Sequence, residues 1–226
     1  MNVELLRIFG NPHIGVYVFV NNSIAIVPPG LDEEVRNKII ETLDVEVIET
    51  KIAGSILNGV LIAGNDHGLI FPRTILDEEF EYLKKNLSRY GFNLYIARSK
   101  NTALGNLLLT NNKACIVGSD IEKQEIIKIS EVLGVEVFSR DVMYLTIPGS
   151  LAVVTDNGGV IHPDVSDEEL EELKNIFKVY IERATVNSGI PFIKSGLIAN
   201  NKGILIGENT TGPEMLRIRR GFQSMG

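Results

Sequence analysis

The sequence predicts an α/β fold: a five-fold pseudosymmetric α/β propeller of five units of about 45 residues, each strand–strand–helix–strand, with the ring closed by the N-terminal strand. Three observations predict it. The apolar runs IAIV, GLIF, ACIV, GVIH and GILI are followed by Pro28, Pro72, Gly118, Pro163 and Gly207, at intervals of 44, 46, 45 and 44 residues. Around each run the order repeats: an apolar segment and a turn before it, a helical stripe and, in four of the five units, a β-rich segment after it. The fifth unit ends in GFQSMG, which makes no third strand, whereas VELLRIF at Val3–Phe9 is a strand without a unit of its own. The units run approximately 10–54, 55–99, 100–144, 145–189 and 190–226 plus strand 3–9. Since no unit buries its own apolar strands, residues 1–226 are expected to form a single domain.

Each unit opens on an apolar segment, read as a strand: GVYVFV from Gly15, GVLIAG from Gly59, GNLLLT from Gly105, SLAVVT from Ser150 and GLIAN from Gly196. A tight turn rich in Asn, Asp and Gly follows, as at Asn21-Asn22 and Asn65-Asp66-His67-Gly68. These residue types tolerate positive φ. The return strand makes a hairpin. The helix then starts near Asp32, Asp77, Ser119 or Asp120, and Ser166, and Ser166 with Glu169 has capping-box spacing. Apolar positions such as Val35, Ile39, Ile40 and Leu43 form one stripe. The third strands are VEVI at Val45, FNLYIA at Phe92, VEVF at Val135 and VYIERA at Val179.

The chain of 226 residues is 44% hydrophobic and 23% charged, an ordinary composition for a soluble globular protein. No apolar run is long enough to cross a membrane and the N-terminus does not read as a signal peptide. With one cysteine, an intramolecular disulfide is impossible, which fits a reducing cytoplasm. The net charge of −7 argues against binding nucleic acid chiefly by counterion release.

The segments KIAGSILNGVLIAGNDHGLIFP, ALGNLLLTNNKACIVGSD, GGVIHPDVS, ATVNSGI and GLIANNKGILIGENTT resemble the translation initiation factor 6 family, of archaeal type, over essentially the whole chain. The resemblance implies the pentein fold. It also implies a non-enzymatic, cytoplasmic ribosome anti-association and biogenesis factor. Such a factor binds the intersubunit face of the large ribosomal subunit near the sarcin–ricin loop and stops the small subunit from joining prematurely. No cofactor, metal, membrane or DNA partner is expected, and the chain is expected to be a monomer.

Candidate ribosome-binding residues follow from their settings. Asn65 and His67 lie in a hairpin turn, as turn formers or as an exposed polar edge. Gly15 and Gly105 start their segments, where backbones pack closely or where a propeller rim binds, and Asn106 stands beside Gly105. Arg98, Lys100 and Asn187 sit in polar connectors, the two cations within reach of rRNA phosphate. Cys115 reads as a buried apolar residue, and His13, His67 and His162 have no metal-ligand spacing. The competing reading is a guanidino-modifying enzyme, a deiminase or amidinotransferase of the same fold. Such an enzyme needs a nucleophilic cysteine near the C-terminus, and no cysteine follows Cys115.

Overall fold

The computed structural model describes residues 2–223. Five three-stranded sheets stand around a central channel as the blades of an α/β propeller. The strands are β1 (Asn2–Leu6), β2 (Phe19–Val20), β3 (Ile24–Val27), β4 (Glu46–Glu49), β5 (Ala63–Gly64), β6 (Gly68–Phe71) and β7 (Asn93–Ile96). They continue with β8 (Leu108–Thr110), β9 (Ala114–Val117), β10 (Glu136–Ser139), β11 (Ala152–Val154), β12 (Gly159–Ile161), β13 (Ile181–Arg183), β14 (Leu197–Ala199) and β15 (Gly203–Gly207). In the first blade β2 and β3 form an antiparallel hairpin, and β4 returns parallel to β3 after a helix. The next three blades repeat this order. In the fifth, β1 takes the third place: Asn2 to Leu6 pair in parallel with Gly203 to Gly207 of β15.

The crossover helices are eleven residues each: α1 (Glu33–Leu43), α3 (Asp77–Leu87), α5 (Lys123–Leu133), α7 (Asp167–Phe177) and α9 (Gly212–Phe222). Between them stand the short helical turns α2 (Asn58–Leu61), α4 (Leu104–Leu107), α6 (Pro148–Leu151) and α8 (Ile193–Gly196), and a 3-10 turn at Ile14–Val16. Asp32 and Ser166 are the N-caps of α1 and α7, with the Ser166 hydroxyl accepting the Glu169 N–H. Asp77 falls one residue late and Ser119 or Asp120 three or two residues early, because Leu76 and Glu122 cap those helices.

Each helix packs its stripe back onto the preceding blade, so every core belongs to two blades. Ile39 and Leu43 of α1 meet Leu6, Ile198 and Leu205 of the last blade, with Ala25 and Val27 of the first. Ile129 and Leu133 of α5 join Ala63, Ile70 and Ala97 to Cys115 and Val117. Removing apolar surface from water stabilises by about 25 cal/mol per Å². Here that gain accrues at the junctions, and β1 adds Leu6 to the junction between last and first blade.

Two readings of the sequence are corrected. The segments opening each unit are not strands throughout: Gly15, Gly59 and Gly105 lie in helical turns, and only two or three residues at or next to the end of each segment are extended. A short buried apolar run does not distinguish the two states. The hairpin asparagines do not carry positive φ either. Among non-glycine residues that conformation falls at Phe9, Asp44, Ala53, Met143, Tyr144, Lys178, Asn187 and Ser188, in helix C-caps and in the connectors before the helical turns.

Candidate functional site: the two mouths of the channel

One mouth is built by the hairpin turns. Asn21, Asn65, Asn111 and Asn200 are buried. Each folds its own turn, its Oδ1 accepting the N–H groups two and three residues on, as Asn65 does from His67 and Gly68 at 2.9 and 3.2 Å. Each also reaches the next blade: Nδ2 of Asn21, Asn65, Asn111 and Asn200 donates to the carbonyls of Asn65, Asn111, Thr155 and Asn21, every time at 3.1 Å. The fourth blade breaks the series. Thr155 closes its own turn onto the Gly158 carbonyl and has no amide to send onward.

The neighbouring residues form a second circle. The N–H groups of Asn22, Asp66, Asn112, Asp156 and Asn201 donate to a side-chain oxygen of Asp66, Asn112, Asp156, Asn201 and Asn22 in turn, at 2.8 to 3.0 Å. Asn112 Nδ2 bridges the two carboxylates, 2.6 Å from Asp66 Oδ2 and 2.7 Å from Asp156 Oδ2. The polar atoms here are spent on one another, so Asn65 is an internal clip and not a free polar edge. His67 is exposed at the tip, its ring against Gly134 of the next blade.

The opposite mouth is built from backbone. The five helical turns touch in sequence around the axis. A Cβ on Gly59 would strike the Gly15 carbonyl, one on Gly105 the Gly59 carbonyl, and one on Gly149 the Gly105 carbonyl. Gly15 in turn lies on the Lys194 carbonyl. Gly15, Gly59, Gly105, Gly149 and Lys194 are spaced by 44, 46, 44 and 45 residues, so Lys194 holds the fifth glycine position. Its side chain crosses the channel and donates to the Gly105 carbonyl at 2.9 Å. Burial pushes the ammonium down to about 8.

The connectors before these turns are held by glutamates at the third position of the crossover helices, three of them buried and Glu169 half-buried. Glu79 accepts the N–H groups of Ala53 and Gly54 at 2.6 and 2.8 Å, Glu125 that of Arg98 at 3.0 Å, and Glu169 that of Met143 at 3.1 Å. Glu214 accepts from Gly189, Thr211 and the Thr185 hydroxyl at 2.7 to 2.8 Å. Burial opposes ionisation of Glu214, but these donors outweigh it and leave its carboxyl below the ordinary value. The first helix has Val35 at that position, a side chain that cannot accept from Phe9 or Gly10.

The connectors carry six of the ten exposed large apolar side chains among the described residues. Phe9, Ile56, Leu57, Tyr144, Leu145 and Phe192 all stand on this rim, with Tyr144 99% exposed. It occupies the left-handed region with Met143, at φ values of 61° and 55°. A β-turn with positive φ at both central residues favours Asn-Gly, so an aromatic side chain there is held against local preference.

The sequence-derived candidates thus separate. Gly15, Arg98, Lys100, Gly105, Asn106 and Asn187 lie at the helical-turn mouth, Asn65 and His67 at the other. Arg98 and Lys100 are exposed and Asn106 is half-buried. Gly15 and Gly105 are buried packing positions. Asn187 is buried too, donating through its N–H to Thr210 Oγ1 and through Nδ2 to the Pro12 carbonyl, both at 2.9 Å, which staples the last blade to the first. The residues that sequence reasoning passed over are the glutamate clamps, Tyr144 and Lys194. The clamps were there to find: Glu79, Glu125, Glu169 and Glu214 keep the repeat, at 46, 44 and 45. Cys115 is fully buried in β9, where burial pushes its thiol up to about 12, and it supplies no thiolate for covalent attack.

A model of the eIF-6 family matches residues 3–221. Curated relatives named translation initiation factor 6 are similar over nearly the full length. That of Staphylothermus marinus is 69% identical over 98% of either chain. That of Saccharolobus islandicus is 46% identical over 97% of this chain and 98% of its own, and that of Pyrococcus horikoshii 41% over 96% and 97%. Among solved structures, the C. jejuni agmatine deiminase matches 71% of this chain and 60% of its own, at 11% identity and a TM-score of 0.40.

Proposed function

The chain belongs to the eIF-6 family, and on that premise we propose that it binds the large ribosomal subunit at its intersubunit face through the helical-turn mouth and so keeps the small subunit from joining. The observation that carries this reading is the distribution of exposed apolar side chains: six of the ten large ones among the described residues stand on that one rim. A rim of this kind suits a protein partner. Arg98 and Lys100 are exposed beside them and within reach of rRNA phosphate, and Asn106 can donate and accept at once. Action is by occupancy, with no chemical step. Because the net charge is −7, protein contacts dominate and the salt dependence is shallow.

The test is co-sedimentation with purified large subunits across a salt series, together with subunit-joining assays on sucrose gradients. Tyr144→Ala and Asn106→Ala should each weaken binding by about 1–3 kcal/mol with little change in melting, while His67→Ala, at the far mouth, should bind as wild type. Loss of binding in His67→Ala with the other two unaffected would assign the wrong mouth. Steep loss of affinity with salt would overturn the charge argument.

A further inference from the structure

Between the two mouths the channel holds a partly open cavity of about 90 Å³, lined by residues such as Val18, Ile62, Leu108, Val154 and Leu197. That is several times the volume one water molecule requires. Lys194 Nζ reaches into it with a single acceptor, the Gly105 carbonyl. An ammonium has three donors and a full charge, and the described residues offer it one carbonyl and no carboxylate. No ion pair among the described residues includes it. Burial is the sole cause that depresses its proton affinity, with no neighbouring charge contributing. Asp66 and Asp156, the acidic side chains of the channel, line its far mouth and not this cavity, and both oxygens of each already accept amide hydrogens.

We propose that the cavity is an anion site, in which a small monovalent anion sits beside Lys194 and takes up the two donors that the Gly105 carbonyl leaves free. The sequence marks the position as unusual. Four blades place glycine there and build the ring of turns without any side chain, so the fifth blade does not need lysine for closure. The residues lining the cavity carry no counter-charge, and the space is too small for a bulky organic acid. A halide or nitrate satisfies both the volume and the charge. This inference does not depend on the ribosomal reading.

The test uses the full chain. Melting is followed in sodium bromide or sodium nitrate against sodium gluconate at the same ionic strength, gluconate being too large to enter. Wild type should melt several degrees higher in the small anions, with a saturating dose response. Lys194→Met and Lys194→Gly should both lose that response, and Lys194→Gly, which restores the residue of the other four blades, guards against a folding defect. Crystals grown in bromide should show anomalous density within hydrogen-bonding distance of Nζ. Equal melts in all three salts, a bromide response retained in both variants, or a cavity holding only water would each overturn the proposal. So would bromide density without any solution response, since it shows binding at crystal concentration only.

Discussion

At one mouth of the channel, side chains from five blades hydrogen-bond in two concentric circles. At the other, five backbone turns touch, four of them through glycine, and their exposed connectors carry aromatic and aliphatic side chains. Both mouths hold neighbouring blades together, but by different physics. The amide mouth relies on directional bonds whose partners are buried, so it is sensitive to the loss of single atoms. The turn mouth relies on the absence of atoms, so it is sensitive to their addition. It also leaves its outer surface uncommitted, because what closes it lies inside. A ring fastened by its own side chains at one end can present the other end to a partner.

Gly105→Ala probes the sharper side of this contrast. The new Cβ would meet the carbonyls of Gly59, Ile62 and Val60, none of which can give way without moving a neighbouring turn. A loss of about 3 kcal/mol is expected in chemical denaturation. A variant as stable as wild type would mean that the turns are not in contact. At the amide mouth, Asn65→Ala removes two acceptances and two donations at a buried site and should lose about 2 kcal/mol. Thr155→Asn asks the converse. It offers the missing amide to the Asn200 carbonyl, and a gain of about 1 kcal/mol is expected, with denaturation midpoints of both variants as the measurement.

The smallest effect concerns the clamps of the turn mouth. The Glu214 carboxyl lies below its ordinary 4.5 in the folded chain, so its hydrogen bonds add stability that is fully present above that value. The contribution is lost as pH falls through the folded value. Wild type and Glu214→Gln should therefore differ most at neutral pH and converge on acidification below about 4.5. Melts that run parallel from neutral to acid pH would show that the carboxylate charge does not matter.

How far the fold was legible follows from the same residues. The repeat is a matter of spacing, and spacing alone gave five blades, the crossover helices and closure by the N-terminal strand. The apolar segments were legible as buried but not as helical turns, because a ring contact between Gly59 and the Gly15 carbonyl leaves no local trace. The asparagines were noticed for the wrong reason: their φ values are ordinary, and their use lies in a carbonyl 44 to 46 residues away. Of the candidate contact residues, Asn65 and Asn187 turned out to be internal fasteners, since polarity in a turn does not reveal which way an amide points. Lys194 was legible in principle as the odd member of a glycine series. The repeat of strand ends hides it, because Lys194 departs from the series only in the register of the glycines.

The pairing of Asn2 with Gly203 has a consequence for biosynthesis. The first strand to emerge from a ribosome has no partner until the last hairpin has been made. At roughly 5–20 residues per second that interval is on the order of tens of seconds. Throughout it the paired edge of β1 and the apolar side chains Leu6 and Ile8, buried in the finished ring, have nothing to cover them. The intermediate blades can dock in order behind it, each on its predecessor, but the contact of greatest sequence separation comes last and governs the rate of completion. Until then the nascent chain is an open arc with two unsatisfied ends, able to pair with a second arc as readily as with itself.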